Sequence, residues 1–274
     1  MKAGSLSCVK KEFIPSRVTL RTFPRSKRIQ TLMNISISLI RRVGCILAFG
    51  TALPSAMAIV LVSNFDGDSL VRFDGAISNV LVAPGSGGLS LPHRSRIAPD
   101  GTLLVASAGT DTILRYNLQD GSYLGEFISA AGGLDYPVDM VFHSDSFLYI
   151  SSQLNNQILR FDSSTGSLDN TWSAAHADLS GPSGFVFDDD GSFYVSGRFS
   201  NNVVQFAADG TFLRSFGTVS SAFGMVLHDN GSLLVASGGN GSVEAFTDLD
   251  NTPLQNSWAT GLNIPVGIEQ GNFI

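Results

Sequence analysis

The sequence predicts an all-β protein folded as a β-propeller of about five to six four-stranded blades. Hydrophobic residues make up 43% of the 274 positions, charged residues 15%, and there are 29 glycines, which is typical of a turn-rich β protein. Short runs of β-branched and aromatic residues alternate with Asp-Gly, Asn-Gly and Asn-Asn turn signals. A strand motif recurs at intervals of 43, 45, 45 and 40 residues, centred on Val62, Val105, Ile150, Val195 and Val235. A period of 40 to 45 residues with four strands per unit predicts a propeller.

The repeat is clearest from Gly181 to Gly217. This stretch predicts four short strands, at residues 185–187, 193–196, 203–206 and 212–216, separated by the turns 188–191 and 209–210 and by the polar loop 198–202. A meander of four strands cannot bury both of its faces alone, so it requires neighbouring copies. We therefore interpret the triple aspartate at 188–190 as a turn between strands and not as a site.

Other columns of the repeat keep the same register. The first strand of a blade opens with a proline, which needs no hydrogen-bond donor there, at Pro92, Pro137, Pro182 and Pro265. The third strand ends in an aromatic residue at Phe73, Tyr116, Phe161, Phe206 and Phe246. One aromatic residue per blade in a fixed register predicts side chains that fill the space between blades.

The two ends of the array complement each other. The repeats begin at a second strand, Ile59 to Ser63, so the first blade has only its second to fourth strands. A solitary first-type strand is predicted at Pro265 to Ile268, and Gly271 to Ile274 resembles the start of another second strand. The first-type strand either completes a five-bladed ring or begins a sixth blade. The short turn after it favours an interrupted or incomplete sixth blade.

Residues 1–58 form a leader, and residues 59–274 form the predicted propeller domain. Residues 33–58 have the layout of a signal peptide, with Arg41-Arg42 before an apolar run and a cleavage site after Ala58. Either translation begins at Met33, so that residues 1–32 are not part of the protein, or residues 1–32 form a long basic n-region of the signal peptide. An organelle transit peptide is the alternative. We expect a secreted, periplasmic or cell-surface protein. Both cysteines, Cys8 and Cys45, lie in the leader, so no disulfide is expected in the domain.

The charge of the domain limits its partners. It holds seven arginines and no lysine against 22 acidic residues. Such an excess of negative charge repels phosphate backbones, so nucleic acid is not an expected partner, and no membrane span is predicted in the mature chain.

The pattern P-x-G-Φ-x-Φ-D-x-x-G-x-Φ-Y-V-S…N-x-Φ-x-x-F…D-G-x-Φ-x-x-x-F-G, where Φ is apolar, is read from Pro182 to Gly217. It resembles the NHL-type repeat of the six-bladed propeller superfamily, and the resemblance extends from Ile59 to about Gly271. It implies a propeller whose relatives include lactonases, lyases, receptors and interaction modules. The Gly-His and Trp-Asp signatures of WD40 repeats are missing.

In a propeller the first strands line the central channel, and the loops between second and third strands share the face that the relatives use for ligands. The channel mouth is predicted to hold Arg94 and Asp139. The polar residues expected around it are Asp66, Asp68, Asp111, Asn155, Asn156, Arg198, Asn201 and Asn202. Such an oxygen-rich ring suits Ca²⁺, another divalent ion or a sugar, and solvated Asx turns are the alternative.

No catalytic residue is predicted. His143 and His228 fall at the far end of the first strand, His176 lies in a connection between blades, and His93 stands at a strand entrance. These positions form no metal-ligand cluster, and no G-x-S-x-G motif is present. The sequence predicts an exported module that binds a protein, glycan or small molecule. The alternative is a metal-dependent lactonase or lyase with Asp139 as a ligand and Arg94 orienting an anionic substrate.

Overall fold

The computed structural model describes residues 59–74 and 77–265, and every strand in these ranges belongs to one of five antiparallel sheets. The first sheet has three strands and the other four have four each, always paired in chain order. The strands are β1 (Ile59–Asn64), β2 (Ser69–Asp74), β3 (Ile77–Val82), β4 (Pro92–Ile97), β5 (Leu103–Ser107), β6 (Thr112–Tyr116), β7 (Tyr123–Ile128), β8 (Pro137–Phe142), β9 (Phe147–Ser152), β10 (Gln157–Asp162), β11 (Leu168–Ala175), β12 (Pro182–Phe187), β13 (Phe193–Gly197), β14 (Asn202–Phe206), β15 (Phe212–Phe216), β16 (Ala222–Leu227), β17 (Leu233–Ser237), β18 (Ser242–Thr247) and β19 (Leu254–Ala259). Single 3₁₀ turns occur at Phe65–Gly67, Ser86–Gly88, Ala108–Thr110 and Ala130–Gly132.

The sheets are the blades of a β-propeller, which confirms the predicted fold class. The first strands of successive four-stranded blades contact each other, β4 with β8, β8 with β12, and β12 with β16, while β1 of the first sheet contacts β4. The described part of the first blade contains only second to fourth strands, as the sequence predicts. The leader, the strand at Pro265 to Ile268 beyond its first residue, and Gly271 to Ile274 lie outside the described residues.

The core lies between the blades. Tyr116, Phe161, Phe206 and Phe246, which end the third strands, are fully buried, so the predicted role of this column as inter-blade packing is confirmed there. Each such side chain contributes roughly 1.5–3 kcal/mol by its burial. Phe73, at the equivalent position in the first sheet, is 37% exposed.

A repeated hydrogen bond clips each blade to the next. The loop between the second and third strands ends in a residue with positive φ, and its side-chain oxygen accepts the backbone N–H of the residue before the next blade's first strand. The acceptor–donor pairs, at 2.7 to 2.8 Å, are Asp68–Leu91, Asp111–Tyr136, Asn156–Gly181 and Asn201–Ser221. The fifth equivalent residue is Gly241, which has no side chain to offer. Asp and Asn suit these positions because they tolerate the left-handed conformation and carry a short acceptor.

We expect Asp111→Ala to lower the free energy of unfolding by about 1–3 kcal/mol, because the N–H of Tyr136 loses its acceptor. Asp111→Asn keeps an acceptor oxygen and should stay close to wild type. The control is Asp66→Ala, in an exposed loop position that makes no side-chain hydrogen bond within the described residues. Urea titrations measure all three, and equal losses for the Ala and Asn variants would contradict the clip.

A second contact joins the blades at their outer rim. The turn between the third and fourth strands contains a glycine with positive φ that lies against a backbone carbonyl on the preceding blade's outer strand. A Cβ added at Gly121 would lie 1.7 Å from the carbonyl oxygen of Leu81, and Gly166 and Gly210 are placed likewise at 2.2 and 2.6 Å from Phe127 and Ser173. Close backbone approach therefore requires glycine at these turns.

All described residues belong to one unit, Leu53–Ile274. Among them, none forms a helix of the length and hydropathy that crossing a membrane requires.

Candidate ligand-binding site

A β-bulge in each of the four described first strands, β4, β8, β12 and β16, builds the site. In β4, Pro92 pairs with Ser107 and Ser95 with Val105, so the strand carries an extra residue at that point of the ladder. The same shift occurs in β8, β12 and β16. A bulge re-aims side chains and leaves them outside regular pairing. The four bulged pairs are His93-Arg94, Val138-Asp139, Ser183-Gly184 and Phe223-Gly224.

These four pairs line a cavity of about 550 Å³. The remaining lining residues are Ser63 in β1, Pro92 at the start of β4, Phe65, Gln153 and Arg198 in the loops that follow second strands, Tyr136 just before β8, and Ile264. Bulges and loops thus converge on one cavity.

Arg94, Asp139 and Arg198 are the predicted site residues that the cavity brings together. Asp68, Asp111, Asn156 and Asn201 instead use their side-chain oxygens in the inter-blade clips. Asp66 is exposed, Asn155 donates from Nδ2 to the carbonyl of Gly133 at 3.0 Å, and Asn202 donates to that of Asp178 at 2.9 Å. The polar ring around the mouth is therefore largely engaged in holding the loops.

Asp139 is buried and paired. Its Oδ1 accepts Arg94 Nε at 2.8 Å and the backbone N–H of Met140 at 2.8 Å, and it lies 3.8 Å from a terminal nitrogen of Arg96. The backbone N–H of Asp139 donates to Ser151 Oγ at 2.8 Å, which fixes the bulge. Asp139 therefore enters the cavity as half of an ion pair.

The ion pair also borders a second cavity, of about 510 Å³, toward the other end of the first strands. Arg94 and Asp139 line both cavities, and Arg96, His143 and Phe187 line only this one. His143 stacks on Phe187 with ring centroids 4.3 Å apart, at the end of the first strand where the repeat alignment places it. The ion pair thus separates the mouth from the far end of the channel.

The side chains that line the cavity do not fit a divalent cation. Within residues 59–74 and 77–265, no three His, Cys, Asp or Glu side chains come close enough together to hold a metal ion. Asp139 is the acidic residue among those lining the cavity, and two guanidinium groups already lie against its carboxylate. A cation at Asp139 would have to displace or approach these positive charges.

His93 lies between two aromatic rings, with ring centroids 5.0 Å from Phe65 and 5.5 Å from Tyr136. Its Nε2 is buried and has no hydrogen-bond partner among the described residues. Burial lowers the pKa of His93 from 6.5 to about 4, with the positive charges of Arg198 and Arg94 acting in the same direction and Asp139 opposing them. The imidazole is therefore neutral at pH 7.

We expect His93 to destabilise the fold below pH 6.5. Between about pH 6.5 and 4 the unfolded chain takes up a proton that the folded chain does not, so the free energy of unfolding falls as the pH is lowered. The loss should amount to about 2–3 kcal/mol at pH 4.5. Urea titrations at pH 7 and 4.5 measure it, and His93→Phe should show a smaller loss. An unchanged loss in His93→Phe would contradict this assignment.

Arg198 and Gln153 form a second polar group in the wall of the cavity. The Arg198 guanidinium lies 4.8 Å from the ring centroid of Phe223 and 5.6 Å from that of Phe199. Its Nη1 is 3.4 Å from Gln153 Oε1. Gln153 is only 2% exposed, and its Nε2 has no hydrogen-bond partner within residues 59–74 and 77–265.

Sequence reasoning missed His93, Gln153 and the aromatic residues of the mouth. His93 precedes Arg94 in the same bulge, so its position next to proline was a usable signal. Gln153 follows β9 in the loop column that also contains Arg198, and the repeat alignment would have selected it. Phe65 and Tyr136 carry no charge pattern that would have distinguished them from packing residues.

A family model described as "Lactonase, 7-bladed beta-propeller" matches residues 82–247, well over half of the chain. No curated protein matches the chain in sequence.

Solved structures match over most of the chain at low identity. Catalytically inactive virginiamycin B lyase from Staphylococcus aureus, crystallised with quinupristin, is 17% identical with a TM-score of 0.61, covering 78% of this chain and 71% of that one. A putative 6-phosphogluconolactonase from Bacteroides fragilis is 22% identical with a TM-score of 0.55, covering 76% and 69%. A chain of the nidogen/laminin complex is 13% identical with a TM-score of 0.63, covering 78% and 82%. At these identities the likeness establishes the fold alone.

Proposed function

The chain belongs to the seven-bladed β-propeller lactonase family. We propose that it binds a small organic molecule in the cavity at the mouth of the propeller channel. The observation that carries the proposal is the cavity of about 550 Å³ built from the bulges of four blades. Its size lies in the range of small-molecule sites, and it combines aromatic walls with a few fixed polar groups. A concave site of this kind suits a small molecule better than a flat protein surface.

The aromatic walls define the apolar part of the ligand. Phe65 and Tyr136 flank His93, and Phe223 lies on the side of Arg198. A ring or short apolar segment placed among them would bury area on both partners. The polar groups at the same mouth would then orient an oxygen-bearing end.

Dihydrocoumarin, an aromatic lactone, and its ring-opened form 3-(2-hydroxyphenyl)propanoate test the proposal by calorimetric titration. We expect saturable 1:1 binding of at least one form, weakened in Phe65→Ala. Leu213→Ala is the matched control, because Leu213 is an exposed apolar residue on β15 outside the cavity. Absence of binding by both forms, or equal weakening by the control, would contradict the proposal.

The second candidate is hydrolysis of a lactone in the same cavity, and the state of His93 favours it. A neutral imidazole with an uncommitted Nε2 can accept a proton from water as the water adds to the lactone carbonyl carbon. The donors of Arg198 and Gln153 would stabilise the carbonyl oxygen, and the ring C–O bond would break with return of the proton to the leaving oxygen. This route uses only residues of the chain and requires no ligand from Asp139.

We expect any hydrolysis of dihydrocoumarin to fall by about 10²–10⁴ in His93→Ala. His176→Ala is the control, because His176 stacks on Phe212 away from the cavity. Chelator should change neither the rate nor the melting temperature, since two guanidinium groups lie against the carboxylate of Asp139. A melting temperature that rises with Ca²⁺, Mg²⁺ or Zn²⁺ and falls in Asp139→Ala would instead support the metal-dependent alternative.

We propose further that the protein is exported and that its repeats are of the NHL type. The arginine pair, apolar run and small-residue site of residues 33–58 support export to the periplasm, cell surface or medium. The pattern from Pro182 to Gly217 supports the repeat type. N-terminal sequencing of the secreted product should begin at Ile59, and a start well upstream of it would contradict the export proposal.

A further inference from the structure

Arg198 differs from the other arginines of the described residues in its partners. Arg72, Arg94, Arg96, Arg115 and Arg160 each lie within 4.0 Å of a carboxylate oxygen, and Arg214 donates to the backbone carbonyls of Asn251 and Leu249. Arg198 has neither kind of partner within residues 59–74 and 77–265. Among the described residues, its side chain makes one contact of hydrogen-bonding type, the 3.4 Å approach to Gln153 Oε1. Most of its five donors therefore have no partner in the described part of the chain at the wall of the cavity.

The guanidinium is nevertheless held in place. It lies over the ring of Phe223 at 4.8 Å, and the ring of Phe199 lies 5.6 Å from it. Its backbone N–H donates to the carbonyl of Gly181 at 2.9 Å, which anchors the residue to the start of β12. A planar cation supported by aromatic rings is pre-organised for a planar anionic partner.

Gln153 adds a second donor. Its Oε1 faces Arg198, which assigns Nε2 as the remaining polar atom, and Nε2 is buried with no partner. Its backbone N–H donates to the carbonyl of Tyr136 at 3.1 Å, so the residue is fixed beside the cavity. A buried amide donor without a partner is rare in folded proteins, and a bound acceptor accounts for it.

We propose that Arg198 and Gln153 bind the carboxylate of the ligand, one oxygen on the guanidinium and the other on the amide Nε2. The inference rests on the proposed function and names the substrate class, a monocarboxylate with an aromatic or apolar body that lies against Phe65, Tyr136 and Phe223. A hydroxy acid, which is the ring-opened form of a lactone, has this chemistry.

The charges around the cavity favour a ligand that carries one negative charge. Asp139 does not repel the ligand, because Arg94 and Arg96 lie against its carboxylate. His93 is neutral, so Arg198 is the cation left to meet the anion at this wall. The acidic surface of the domain further opposes a multiply charged group such as a phosphate monoester.

Calorimetric titration with three probes tests the carboxylate assignment: 3-(2-hydroxyphenyl)propanoate, its neutral amide 3-(2-hydroxyphenyl)propanamide, and dihydrocoumarin. Wild-type protein should bind the acid more tightly than the amide. Raising the NaCl concentration should weaken the binding of the acid but not that of the amide. Arg198→Gln should weaken the binding of the acid by about tenfold or more and leave the binding of the amide nearly unchanged. Gln153→Leu should weaken the binding of the acid less than Arg198→Gln does. Arg198→Lys keeps the charge but loses the planar pair of guanidinium donors, so its affinity for the acid should lie between those of the wild type and Arg198→Gln.

Arg72→Gln is the matched control, because it removes the same charge on β2 outside the cavity. Circular dichroism and melting temperature establish that each variant is folded. Equal binding of acid and amide, or equal weakening of both by Arg198→Gln, would overturn the carboxylate assignment while leaving the proposed cavity site intact. Failure of the wild type to bind any of the three probes would overturn both.

Discussion

Gly121→Ala is expected to lower the free energy of unfolding by about 2–5 kcal/mol, combining left-handed strain with overpacking. Gly121 has φ of 71°, and its Cβ would lie 1.7 Å from the backbone oxygen of Leu81 on the preceding blade. The obstacle is main chain in a strand, so it cannot move aside as a flexible side chain would. The substitution must therefore separate two blades or distort the turn.

Gly101→Ala is the matched control. Gly101 has φ of 81°, but a Cβ added there would meet no atom within 4 Å, so only the conformational strain remains. Urea titration should show a loss of about 1–2 kcal/mol for Gly101→Ala and a clearly larger one for Gly121→Ala. Equal losses would show that the contact between the blades contributes nothing.

Arg94→Met is expected to lower the free energy of unfolding by about 3 kcal/mol or more. The change removes the 2.8 Å partner of Asp139 and leaves a buried carboxylate with Arg96 at 3.8 Å as its nearest described cation. Desolvation of that carboxylate would then be poorly compensated. The aliphatic part of Arg94 is retained by methionine, so packing changes little.

The double variant Arg94→Met/Asp139→Leu should recover part of that loss, because no unpaired charge remains. Thermal and urea unfolding of the two single variants and the double variant complete the cycle. A double variant whose loss equals the sum of the single losses would show that the two side chains do not stabilise each other.

The sequence predicts the blades because the repeat carries their alternation, turns and inter-blade aromatics in one register. The incomplete first blade follows from the same alignment, since Ile59 enters at a second-strand position. The bulges are less visible. Pro92 pairs with Ser107 and Ser95 with Val105, and this shift of register depends on pairing between two strands and not on the composition of either one.

The site is predicted in part. Arg94, Asp139 and Arg198 are identified by their columns in the repeat, and the columns are what the fold preserves. Asp111 and Asn156 are predicted as polar groups near a mouth, but their oxygens are already bonded to the backbone of the next blade.

The pairing of Arg198 with Gln153 joins residues 45 positions apart and involves a neutral amide, so charge patterns give no sign of it. His93 escapes a search of the sequence for histidines that form a metal cluster. A single neutral imidazole between aromatic rings leaves no such signature, and only the folded mouth brings it beside Arg198 and Asp139.

The bulged pairs and the rest of each first strand serve different purposes. The first strands keep their ladders and their joints to neighbouring blades, while two consecutive residues per blade stand outside the regular ladder and face the mouth. Substitution at Val138, Ser183 or Phe223 changes the lining of the mouth, whereas Arg94 and Asp139 also join neighbouring blades through their ion pair. Blades of the same architecture can therefore present different side chains to a ligand, so a shared fold does not require a shared substrate.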